Sequence, residues 1–124
     1  MCKQGKARRR GKANEYGLVG KLRKLGTPDA ERVPLSGALS QLPGDVSAPS
    51  LGTLFEAKVY ALREVEGARY ARLELNWIEK IRQEAARAGY ARGVVAFRGK
   101  GQRQTYVILP LEDYVSLVRE KENE

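Results

Sequence analysis

Glu56 and Lys58 stand two residues apart in the run Thr53 to Tyr60, TLFEAKVY, and this pair is the first chemistry the sequence offers. The run alternates, with Phe55, Ala57 and Val59 on one face and Leu54, Glu56 and Lys58 on the other. Strand geometry therefore puts the carboxylate and the ammonium side by side, about 6.5–7 Å apart along the chain. Alone, such a pair is an ordinary ion pair on a solvated sheet face. A second acid changes its meaning. Asp45 opens an earlier extended segment directly after Pro43-Gly44, with ten residues between it and Glu56. If the two segments form a hairpin, Asp45 lies beside Glu56, and two carboxylates so placed repel unless a divalent cation holds them. Oxygen-only ligation suits Mg²⁺, with Mn²⁺ as the alternative, rather than zinc. Without such a partner Asp45 reads as a turn residue, since Gly-Asp favours turns. A third acid, Glu15, precedes Leu18 and Val19 by three and four residues and so shares the inward stripe of the first helix. The helix dipole alone accounts for an acid near a helix N-terminus. One that also faces the core can reach a metal or a bound water.

The remaining composition narrows the chemistry. Among 124 residues there is no histidine and a single cysteine, Cys2. Catalysis by histidine, His-liganded zinc, intrachain disulfides and cysteine-rich zinc sites are thereby excluded. Any site must use carboxylates, lysine, arginine and hydroxyls. No apolar run approaches the roughly 18 residues that a bilayer span needs. The basic N-terminus lacks the apolar stretch of a secretory signal, which makes a cytoplasmic protein the expectation. The net charge is +8, and residues 1–24 carry all of it, with nine basic side chains against Glu15. The rest of the chain holds 23 − 9 = 14 basic and 15 − 1 = 14 acidic groups and sums to zero. A concentrated basic segment suits a polyanion, nucleic acid above all, or else serves as a solvated tail that aids solubility.

The elements that must position these residues follow from patterning. Residues 1–12 have no apolar periodicity and read as a flexible basic arm. Leu18, Val19, Leu22 and Leu25 give a helical stripe over residues 14–25, stopped by Gly26 and Thr27-Pro28. Gly17 and Gly20 cost that helix ~1 kcal/mol each relative to alanine, and their spacing leaves room for another backbone to approach. A short extended run at residues 31–35, a second at 45–47 and a third at 53–60 precede a polar stretch, 61–72, that reads as loop. Asn76 and Glu79 form an N-cap and N3 pair for a helix carrying Trp77, Ile78, Ile81, Ala85 and Ala88, closed by Gly89. A strand at 93–98, a turn at 99–102 and a strand at 104–109 form a hairpin. Leu111, Tyr114, Val115 and Val118 then mark a last amphipathic helix after Pro110. The expected class is α/β, in the order αβββαββα, with the arm at 1–12, one domain at 13–121 and a tail at 122–124.

Asp45, the ten-residue gap and Glu56-Ala57-Lys58 resemble the D-x(n)-E-x-K signature of the PD-(D/E)XK nuclease superfamily. The wider order is a basic arm, GKANE with Glu15 opening a helix, RVPLSG with Ser36, Gly-Asp, Glu-Ala-Lys and a helix carrying Trp77. That order, from Gly11 to Arg119, is similar to the archaeal-type Holliday junction resolvases, a family that also has viral members. The resemblance implies a restriction-endonuclease-like fold, a central mixed five-stranded sheet flanked by helices. It implies Asp45 and Glu56 as metal ligands with the Ala57 carbonyl beside them, and Lys58 as the group that positions or polarises the attacking water. Glu15 matches the family's N-terminal catalytic glutamate and Ser36 its catalytic-loop serine. Mg²⁺ or Mn²⁺ would be the cofactor and branched DNA the substrate, gripped by Lys6, Arg8, Arg9, Arg10, Lys12, Arg32 and Ser36. Paired nicks across a two-fold junction imply a homodimer. A membrane has no part, and the place of action is the cytoplasm, that of the host for a viral member. Two departures stand out: Gly44 occupies the place of a proline, with Pro43 one position earlier, and Tyr60 and Tyr70 are the candidates for the family's aromatic pair. Two other readings remain: a nuclease of the same fold with another DNA substrate, and a basic nucleic-acid-binding module without catalysis, in which Glu56 and Lys58 are only an ion pair.

Overall fold

The computed structural model describes residues 2–33 and 45–122, with side chains for 13–33 and 45–121. Helix α1 (Cys2–Lys24) leads into β1 (Glu31–Arg32), β2 (Val46–Ala48), a 3-10 turn (Pro49–Leu51) and β3 (Thr53–Tyr60). Then come β4 (Arg63–Val65), β5 (Ala68–Tyr70), α2 (Leu75–Ala88), β6 (Arg92–Gly99), β7 (Thr105–Ile108) and α3 (Leu111–Glu122). One mixed sheet has the order β1-β2-β3-β6-β7, and β4 pairs with β5 as a separate hairpin. β3 and β6 are parallel, while the other neighbours are antiparallel. The chain is thus α/β, a five-stranded mixed sheet with helices on both faces.

Alternation along the strands splits the core into two layers. Phe55, Val94 and Ala96 face α1, where Leu18 and Val19 meet them together with Val46 and Ala48. Leu54, Val95 and Phe97 face α2, where Trp77, Ile81 and Ala85 cover them. β6 is buried on both sides, which explains its unbroken apolar run. Both covering helices end the same way. Gly26 takes a left-handed φ of 96°, Gly26 N–H donates to Arg23 O and Thr27 N–H donates to Leu22 O. Gly89, Ala86, Tyr90 and Ala85 repeat the arrangement at the end of α2.

Three local expectations are corrected. α1 begins at Cys2 rather than near residue 14, because Ala, Lys, Arg and Gln are strong helix formers that need no apolar stripe. Residues 63–65 and 68–70 form a hairpin, not a loop. Its turn places Glu66 at φ 52° and Gly67 at φ 82°, and all six strand residues are exposed, so no alternation announces them. α2 starts at Leu75 with Glu74 as the extended N-cap and no side-chain cap bond; Trp77 N–H donates to Glu74 O, a main-chain closure that leaves Asn76 inside the helix.

α2 lies so close to β6 that a Cβ at Gly93 would collide with the Ile81 carbonyl and touch Ala85. Gly93→Ala is expected to lower the unfolding free energy by about 1–3 kcal/mol in urea titrations. Gly20→Ala, where a Cβ meets nothing within 4 Å, is expected to leave it equal or higher.

Candidate active site

The β2–β3 pairing assembles the site. Its register, Val46 with Phe55 and Ser47 with Leu54, carries Asp45 to the place across from Glu56 at the next step. Asp45 N–H donates to Phe55 O, and its carboxylate Oδ2 accepts the Ala57 N–H at 2.9 Å. The side chain thereby extends the ladder just ahead of the first residue of β2. Burial, with the charge of Glu56 next, pushes the Asp45 carboxyl up to about 7. The Ala57 hydrogen bond opposes the rise, Glu15 adds to it, and Lys58 opposes it weakly.

Glu56 and Lys58 share one face of β3, and Lys58 Nζ stands 3.5 Å from Glu56 Oε1. The Lys58 ammonium also lies 4.9 Å from the centre of the Trp77 ring on α2. Tyr60, the next residue on that face, packs on Trp77 with ring centres 5.0 Å apart. An aromatic wall thus holds the lysine stem, with Trp77 recruited from the α2 stripe. Tyr70 stands apart on β5, more than half exposed.

Glu15 is buried as its helical phase requires, and its partner is Arg32, whose Nε donates to Glu15 Oε2 at 2.7 Å. The same guanidinium lies 4.8 Å above the Tyr16 ring and reaches its hydroxyl at 3.3 Å. The hydrogen bond with Glu15 raises the Arg32 pKa further, so this cation stays charged. Nothing in the sequence spacing signals the pair, because β1 brings Arg32 to α1 across an intervening turn.

Asp45, Glu56, Ala57 and Lys58 therefore come together as read from the sequence, and Glu15 stands near enough to be felt at Asp45. Ser36 lies outside the described residues, as do the side chains of Lys6, Arg8, Arg9, Arg10 and Lys12. Among the described residues no group of three or more His, Cys, Asp or Glu side chains is gathered to hold a metal ion. The site offers a facing pair of carboxylates, one of them without a cation of its own. That donor set fits a hard divalent cation whose remaining ligands are backbone carbonyl, water and phosphate oxygen. Comparison with protein-family models, with curated proteins and with solved structures gives no match to any of them.

The raised Asp45 pKa sets a pH dependence. Between about pH 4 and pH 7 the folded chain holds a proton that the unfolded chain has released. Stability without metal should therefore fall as pH rises through that window and level off above it. Asp45→Asn should flatten this slope and raise the melting temperature above wild type at pH 8, in melts run with chelator from pH 4 to 8. Equal slopes in the two proteins would contradict the assignment.

Proposed function

We propose that this protein is a metal-dependent, structure-selective DNA endonuclease that resolves four-way junctions by paired symmetric nicks. The observation that carries the reading is Asp45 facing Glu56 across β2 and β3, with Lys58 3.5 Å from the second carboxylate. Asp45 and Glu56, with the Ala57 carbonyl, would hold Mg²⁺ or Mn²⁺. Bound there, the cation supplies charge neutralisation at the scissile phosphate and a lower pKa for a coordinated water. Lys58, fixed between Glu56 and the Trp77 ring, donates a hydrogen bond to the attacking oxygen or to a phosphoryl oxygen. Glu15, held by Arg32, adds negative charge beside Asp45 and strengthens the preference for a cation there. None of these roles needs histidine.

The resemblance to the archaeal-type Holliday junction resolvases supports the choice of substrate, and the mixed sheet with helices on both faces is in keeping with a restriction-endonuclease-like fold. One chain carries one catalytic set, so paired nicks imply a homodimer acting in the cytoplasm, that of the host for a viral member. The apolar stripe of α3, Leu111, Tyr114, Val115 and Val118, stays exposed and suits a second copy. Its acidic first turn, Glu112 and Asp113, complements its basic last turn, Arg119 and Lys121, in an antiparallel pair. The rival reading, a basic binding module without catalysis, draws on the lack of a third clustered acid among the described residues. It expects no cleavage with any metal.

A gel of synthetic four-way junction against linear duplex, with Mg²⁺ and with chelator, separates these readings. Asp45→Asn, Glu56→Gln and Lys58→Ala should each slow junction cleavage by about 10²–10³-fold or more while leaving junction binding largely intact. Full activity in Glu56→Gln would end the assignment.

A further inference from the structure

We infer that a DNA strand lies in the cleft between α1 and the β6–β7 hairpin, its phosphates held by Lys21, Arg98 and Arg103. The cleft measures about 450 Å³, and Asn14, Gly17 and Lys21 line it from a single face of α1. Arg98 and Arg103 line it from the hairpin, and Ala57 and Val59 floor it from β3. The inference rests on the nuclease reading for its choice of DNA, and the cleft lies on the α1 face of β3, across the sheet from the Lys58 side chain.

Two observations carry it. The first is unneutralised charge. Among the described residues no ion pair includes Lys21, Arg98 or Arg103. Lys21 and Arg98 are nevertheless fixed by neutral acceptors. Lys21 Nζ donates to Arg103 O and to Thr105 Oγ1, both at 2.6 Å, and Arg98 donates to Gln102 O at 2.9 Å. Burial and then the charge of Arg98 lower the Lys21 pKa, a strain that an anion between the two would relieve. Three cations without acids, two of them held in place, form a ready receptor for successive phosphates, and guanidinium groups suit phosphate oxygens especially well.

The second is Gly17. Glycine is among the poorest residues for a helix interior. Nothing in the chain requires it here, since a Cβ at this position would meet no atom within 4 Å. Its effect is to leave an open strip of helix along the cleft, where a sugar–phosphate backbone can approach closely.

The test is equilibrium binding of labelled duplex and four-way junction DNA to the full chain, in chelator so that nothing is cut, over a range of salt. Lys21→Gln, Arg98→Gln and Arg103→Gln together should weaken binding at least tenfold. They should also reduce the log–log salt slope by up to about 3, at roughly 0.9 per phosphate contact. Gly17→Gln should raise the melting temperature and yet weaken DNA binding several-fold, a combination that a structural role would not give. This variant carries the test if the triple variant fails to fold. The measurement involves no cleavage, so failure of the catalytic reading would leave its result standing. Wild-type affinity and slope in both cleft variants would overturn the inference.

Discussion

β3 and β6 run parallel through eight paired residues, from Thr53 with Arg92 to Tyr60 with Gly99. A parallel pair cannot be closed by a tight turn, so the chain must cross over, and α2 lies within that crossover. The crossover covers one face of the sheet, and α1 is left to cover the other. Each face of β3 then has its own task. Phe55 enters the layer under α1, Leu54 enters the layer under α2, and Glu56 and Lys58 continue the Leu54 face toward the strand end. A slip of one residue in this ladder would turn the acid and the lysine onto the α1 side and Phe55 onto the α2 side. Both cores and the candidate site therefore depend on a single register.

Much of this was legible because alternation and punctuation agree. TLFEAKVY reads as a strand and is one with the same bounds, and Gly26 and Gly89 end their helices as their positions announce. The pairing of Asp45 with Glu56 was also legible, since a short antiparallel hairpin with that spacing has few registers. Other parts carried no pattern to read. The hairpin at 63–70 is exposed on every strand residue and turns at Glu66-Gly67 rather than at Asn-Gly. The helical start of α1 rests on intrinsic propensity without an apolar face. The Glu15–Arg32 contact and the Trp77 wall beside Lys58 join elements distant in sequence, which only the assembled sheet brings together.

The three acids near the site are treated differently by their surroundings. Glu15 has the Arg32 guanidinium, and Glu56 has the Lys58 ammonium. Asp45 receives one backbone N–H, faces Glu56, and sits where burial disfavours its charge. It is the group left with an electrostatic deficit, and a divalent cation would remove that deficit. At longer range, the net charge of +8 gives the chain a positive field, which favours polyanions in general.

The claim that Asp45 and Glu56 form a cation site is tested most directly by calorimetric titration of Mn²⁺ into the full chain at pH 6 and pH 8. One site per chain is expected, with close to one proton released at pH 6 and little at pH 8, because the cation displaces the proton that Asp45 holds up to about pH 7. The site should vanish in the Asp45→Asn, Glu56→Gln double variant. Undiminished binding in that variant, or no binding to the wild-type chain, would contradict the account.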